Sequence, residues 1–201
     1  MKKKMDIILI TIFVVLVLIG AYMFLIKPEQ KSGETDAIKF SQEYNLEDKE
    51  NVFVYKTSEE IIKILENGTG VVYLGFLECP WCMEYVKHLN KTAKENNVSK
   101  IYYKNILNER KENTQEYQKI VGLLKDYLQY DEEGNKRVYV PAVIVVNNGV
   151  IVGFDDETAW DTKGFKTPAE YWKERDLDDF KTKLKVMFSK ITSNTCKQGC
   201  N

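Results

Sequence analysis

The sequence predicts an α/β fold with a mixed central sheet, carried behind one N-terminal membrane-spanning helix. Three observations predict it. Residues 7–26 form an uncharged apolar run. Beyond them, strand-length apolar runs alternate with segments of helical period in the order β-α-β-α-β-α-β-β-α, the pattern of parallel strands joined by crossover helices on both faces of a sheet. The last two strands flank Asn147-Asn148-Gly149, a hairpin signal that makes the closing pair antiparallel.

The elements follow in order. Lys2, Lys3 and Lys4 precede the run IILITIFVVLVLIGAYMFLI, which matches the roughly 20 residues a helix needs to cross the hydrocarbon core. The positive-inside bias sets residues 1–6 in the cytoplasm and everything after Lys27 outside the cell membrane. A cleaved signal peptide is the alternative. Its apolar region is usually about 7–15 residues, and Gly20-Ala21-Tyr22 is a weak cleavage site. No cysteine ends the run, which excludes a lipoprotein anchor. Residues 27–50 read as a polar spacer, with Ala37, Phe40 and Tyr44 spaced for one short helical segment.

The folded domain is expected over 51–191. A short strand covers 52–55, and Thr57-x-x-Glu60 is a capping box opening a helix closed by Asn67-Gly68. Residues 71–77, VVYLGFL, suit a strand buried on both faces. A helix starts at Pro80, with Tyr85, Val86, Leu89 and Ala93 on one face. Residues 101–107 give a third strand, and Tyr117, Ile120, Val121, Leu124 and Leu128 the stripe of another helix. Strands over 138–146 and 150–154 flank the asparagine turn. Thr167-Pro168-x-Glu170 then opens one last helix with Leu177, Phe180, Leu184, Met187, Phe188 and Ile191 buried. Residues 192–201 are left as a tail.

Composition narrows the function. At 201 residues and 44% hydrophobic, the chain can bury a core. A net charge of -1 provides no basic excess for nucleic acid. Without residues 1–26 the net charge is -3, so the body has no attraction to anionic lipid and tethering falls to the anchor. One histidine excludes His-rich metal sites and most acid–base triads. Four cysteines remain.

Cys79-Pro80-Trp81-Cys82 lies where a buried strand hands over to a helix. Unpaired N–H groups and a partial positive charge at a helix N-terminus favour thiolate over thiol. Pro80 suits the first turn because it has no N–H to leave unpaired. Cys82 lies one turn on, nearer the buried stripe, so Cys79 is expected to be the exposed attacking sulfur.

In these residues the chain resembles the thioredoxin superfamily over about residues 50–191. Pro141, after Val140, stands where that family has the cis-proline facing its redox pair. The resemblance implies that Cys79 is the nucleophile and Cys82 the resolving thiol. It also implies that Trp81, Val140 and Pro141 line the substrate groove, with the Val140 backbone binding an extended chain, and that the redox disulfide itself serves in place of a cofactor. Gly75-Phe76-x-Glu78-Cys79-Pro80-Trp81-Cys82 is similar to the membrane-anchored accessory thioredoxins of bacteriocin transport. The implied function is an extracytoplasmic thiol–disulfide oxidoreductase of bacterial type. Its partners would be exported protein dithiols or disulfides and a redox protein at the membrane. A thioredoxin-fold binding module for export, with incidental redox turnover, is the rival. One departure stands out. Tyr73 occupies the position, six residues before the first cysteine, where many thioredoxins hold a buried carboxylate, and the nearest acid, Glu78, would raise the Cys79 pKa modestly if its side chain lies close.

The other candidates carry weaker signals. Cys196 and Cys200 could close a local disulfide, form a second redox pair exchanging with the first, or join it around a metal. A 113-residue gap argues against zinc, and Met83 after Cys82 argues against haem attachment. His88, about half a helical rotation from Cys79, is expected on the solvent face. Asp155, Asp156 and Glu157 are expected in a solvated turn, and Trp160 with the loop to Lys166 in packing.

Overall fold

A computed structural model describes residues 35–160 and 164–192. The apolar run 7–26, the spacer before residue 35, and Cys196 and Cys200 lie outside them. Among the described residues, no helix is long and apolar enough to cross a membrane.

In chain order the elements are α1 (Asp36–Glu43), β1 (Phe53–Tyr55), α2 (Ser58–Asn67), β2 (Gly70–Gly75), α3 (Pro80–Glu95) and β3 (Ile101–Asn105). Then come α4 (Leu107–Glu112), α5 (Gln115–Leu124), β4 (Gln129–Tyr130), β5 (Lys136–Arg137), β6 (Ala142–Asn147) and β7 (Val150–Asp155). Three helices complete the described residues: α6 (Glu157–Trp160), α7 (Pro168–Glu174) and α8 (Leu177–Thr192). The fold is mixed α/β. Its five-stranded sheet has the order β1-β3-β2-β6-β7, and β4–β5 form a separate two-stranded hairpin. β3 runs parallel to both β1 and β2, while β6 and β7 are antiparallel to their neighbours.

Val71, Val72, Tyr73 and Leu74 in the central strand are all fully buried. Successive strand residues face opposite ways, so both faces of the sheet are covered. α2 packs on α5, while α3 packs against α7 and α8. The capping box at Thr57 and Glu60 is formed as the sequence predicts. So is the hairpin: Asn147 pairs with Val150, and the two loop residues, Asn148 and Gly149, both take positive φ.

Three expectations change. First, the spacer assignment runs too far. α1 is a helix whose Phe40 stacks on Phe53 at 3.9 Å, and Phe40 and Tyr44 are fully buried. The packed unit therefore begins at Asp36 rather than 51. Second, the single last helix is two. Asp176 accepts the N–H groups of Asp178 and Asp179, and this side-chain cap starts α8 afresh. Third, strand 101–107 stops at Asn105, whose side chain accepts the Leu107 N–H and opens α4.

The sheet's two outer strands are occupied by side chains. The Tyr55 N–H of β1 donates to Asp36 at 3.0 Å. On β7 the Ile151 carbonyl accepts from the Tyr127 hydroxyl at 3.0 Å and the Val152 carbonyl from Lys190 at 2.6 Å.

Candidate active site

β2 ends at Gly75, and a tight turn delivers Cys79 to the N-cap of α3 with extended backbone angles (φ -94°, ψ 107°). Capping groups are usually oxygen atoms; here the acceptor is a sulfur. Cys79 Sγ accepts the Cys82 N–H at 3.2 Å. Pro80 fills the first helical position, and no acidic residue in that turn offsets the positive end of the helix. Both cysteines are free thiols.

The two sulfurs sit in unequal surroundings. Cys82 is fully buried and Cys79 keeps 8% exposure, so the expectation of an open attacking sulfur is met only in relative terms. The hydrogen bond from the Cys82 thiol pulls the Cys79 pKa down against the effect of burial. The backbone N–H groups of Cys82 and Trp81 and the charge of Arg110 add to that pull. Burial pushes the Cys82 thiol well up, and the neighbouring Cys79 pushes it further. A lone proton on this pair therefore resides on Cys82.

The Val140–Pro141 peptide bond is cis. It leads into β6, and the Val140 carbonyl lies 3.8 Å from Cys79 Sγ. Cys79 and Cys82, at the start of α3, are thus gathered at one place with Val140 and Pro141, which lie 61 and 62 residues after Cys79 in the chain. Trp81 is half-buried, edge-on to Tyr171 with ring centroids 5.6 Å apart. Tyr73 lies beneath the pair. Its hydroxyl is buried without a hydrogen bond, and after burial itself the charge of Cys82 is the strongest influence on it. Gly75 is required beside it, because a Cβ there would fall 2.5 Å from the Tyr73 hydroxyl oxygen.

Two expectations about neighbouring residues are corrected. Asp155 and Glu157 are not in a solvated turn. Asp155 is 2% exposed, accepts the Tyr85 hydroxyl and pairs with Lys183. Glu157 accepts from Arg175 Nε at 2.6 Å, from Lys183 at 2.9 Å and from the Tyr171 hydroxyl. Burial alone would raise the Glu157 pKa; these donors instead hold it at about 2. The network fixes Tyr171, and through it the ring that Trp81 rests on. His88 is likewise not on the solvent face. It stacks on Trp172 at 4.3 Å, and burial lowers its pKa.

Arg110 is the site residue that sequence reasoning missed. Its guanidinium lies 4.6 Å over the Phe76 ring and donates to the Val138 carbonyl at 3.4 Å, two residues before Val140. One signal was available. The chain has three arginines against 26 lysines, and a lysine-rich sequence that keeps an arginine does so where a planar, fork-shaped donor is needed. Among the described residues, no cluster of His, Cys, Asp and Glu is arranged to hold a metal ion.

The sheet order and the dithiol at a helix N-terminus are consistent with a thioredoxin fold. No family profile matches the chain, and no curated protein matches it. A solved structure to which it is similar is thioredoxin O2 from Arabidopsis thaliana in the oxidized state. The identity is 15%, over 53% of this chain and 83% of that one, with a TM-score of 0.36. A likeness that distant assigns no activity, so the functional reading rests on the site.

Proposed function

We propose that the chain is a thiol–disulfide oxidoreductase acting on dithiols or disulfides of exported proteins, held at the outer face of the cell membrane by residues 7–26. The observation that carries the reading is the unequal environment of the two sulfurs. One is lowered at a helix N-terminus beside a cis-proline, and the other is buried and protonated one turn on. In the reducing direction the Cys79 thiolate attacks one sulfur of a substrate disulfide. The substrate S–S bond breaks, and the departing sulfur takes the proton that Cys82 gives up. Cys82 then attacks Cys79 Sγ and releases the second substrate sulfur. Two electrons have passed to the substrate, and the Cys79–Cys82 disulfide remains. The reverse sequence oxidises a substrate dithiol. Either direction needs a redox partner outside the cytoplasm to reset the pair; Cys196 and Cys200 are candidates for that relay.

A Cys82→Ala variant expressed in cells tests this reading. It should trap Cys79 in mixed disulfides with exported proteins, and the wild type should exchange disulfides with a model peptide. If neither occurs, the enzyme reading fails and the export-accessory reading replaces it. Protease added to intact cells should remove the domain, which tests the anchor and its orientation.

A further inference from the structure

We propose that the cavity between α5 and the β4–β5 hairpin is a carboxylate pocket, in which Arg110 and Arg137 bind an acidic side chain of an extended polypeptide substrate near its reacting cysteine. The proposal rests on the redox reading above and specifies its substrate class.

The cavity measures about 480 Å³, and Arg110, Arg137, Lys136, Tyr117, Asp131 and Glu133 are among its lining residues. The Nε atoms of both arginines are buried without a hydrogen-bond acceptor. Keeping a guanidinium without a counter-charge in partly buried surroundings is costly, so two arginines lining one cavity call for an anion. Among the described residues, neither guanidinium forms an ion pair, although Lys104, Lys183 and Arg175 all find carboxylates. The cavity's own acids do not meet this need. Asp131 accepts the backbone N–H groups of Glu133 and Asn135 in its turn, and Glu133 is exposed. Lys136 is engaged with the Leu128 carbonyl and the Tyr130 ring. Burial, and then the neighbouring charge of Arg137, both work against the charge on Arg110. Two of the chain's three arginines meet here, and a guanidinium fork matches a carboxylate in bidentate geometry.

The pocket is joined to the sulfurs by a short stretch of backbone. Arg110 holds the Val138 carbonyl, and Val140 reaches Cys79. Two extended residues span about 6.6–6.8 Å. A substrate chain lying along 138–140 with its cysteine at Cys79 would place a side chain two to four residues away at the cavity mouth.

The test is an equilibrium one. Acetylated, amidated peptides carry serine in place of cysteine and one Glu placed two, three or four residues to either side, each with a Gln counterpart. Their binding to the full chain in detergent is read by fluorescence anisotropy. At one offset the Glu peptide should bind wild type about tenfold tighter than its Gln counterpart, a difference of about 1.4 kcal/mol. That preference should shrink with salt, fall to about twofold or less in Arg137→Gln, and survive in part in Arg137→Lys, which retains the charge if the Gln variant folds poorly. Equal binding of Glu and Gln peptides by wild type at every offset overturns the proposal, as does a preference that Arg137→Gln leaves intact. No cysteine enters the assay, so a failure of disulfide exchange and a failure of the pocket are read separately.

Discussion

Replacing Tyr73 with phenylalanine separates the stability of the core from the chemistry of the pair above it. The ring is fully buried between Tyr85, parallel to it at 6.3 Å, and Tyr103 at 5.7 Å. Phenylalanine keeps those contacts and removes a hydroxyl that has no hydrogen bond. An unsatisfied buried polar group costs about 1–3 kcal/mol. The gap left by one oxygen returns part of that, so Tyr73→Phe should stabilise the protein by about 1 kcal/mol. Urea unfolding of the full chain in detergent, under reducing conditions at pH 7, measures it as a rise in midpoint at constant slope. Unpaired beside the neutral thiol, the same hydroxyl can donate to a Cys82 thiolate, and so it helps lower the Cys82 thiol against the larger effect of burial. Its loss should therefore slow the second step, read by stopped-flow as release of substrate from the mixed disulfide, while attack by Cys79 changes less. A variant that is less stable by 1 kcal/mol and resolves at the wild-type rate would refute the reasoning, because the hydroxyl would then have a buried partner and no influence on Cys82.

Other outcomes follow from the same geometry. Because the Cys79 pKa is depressed, its reactivity is full above that pKa and lost as pH falls through it; iodoacetamide labelling should give a midpoint below that of an ordinary thiol, with Cys82 unlabelled until far higher pH. Two identical, ordinary profiles would contradict the asymmetry. Glu157→Gln should lose roughly 2 kcal/mol of stability at pH 7, allowing for solvent screening of a half-buried carboxylate. Since the folded pKa is depressed, that contribution is full above the unfolded value near 4.5 and disappears as pH falls through about 2, so the two unfolding curves should converge there. Gly149→Ala should cost about 2 kcal/mol or more, since φ is +76° and the new Cβ would lie 2.1 Å from the Glu66 carbonyl oxygen. Gly122→Ala, on the exposed side of α5 with nothing within 4 Å, should instead raise stability by about 0.5–1 kcal/mol, and thermal melting compares the two.

What the sequence made legible was local. The capping box at Thr57, the asparagine–glycine hairpin, the apolar stripe of α3 and the cysteine pair at a strand–helix junction are written in adjacent residues, and each formed as expected. What escaped depends on partners far along the chain. Asp155 and Glu157 read as solvated because their cations arrive from far along the chain, Arg175 from the cap that ends α7 and Lys183 from α8. His88 read as exposed because Trp172 covers it from 84 residues away. α1 read as spacer because its polar residues outnumber Phe40 and Tyr44, and those two rings find their neighbours only on β1 and β3. Arg110 lacked any motif. Its role exists only where the turn after β2, α4 and the segment before Pro141 meet.

The blunted rims of the sheet bear on the proposed function. Under the proposed function the domain would meet polypeptides before they have folded, and such chains zip readily onto any bare strand. Asp36 occupies one margin, and Tyr127 and Lys190 occupy the other. With both borders partly occupied, a polypeptide substrate of the proposed reaction would be steered toward the sulfurs and away from pairing along the sheet.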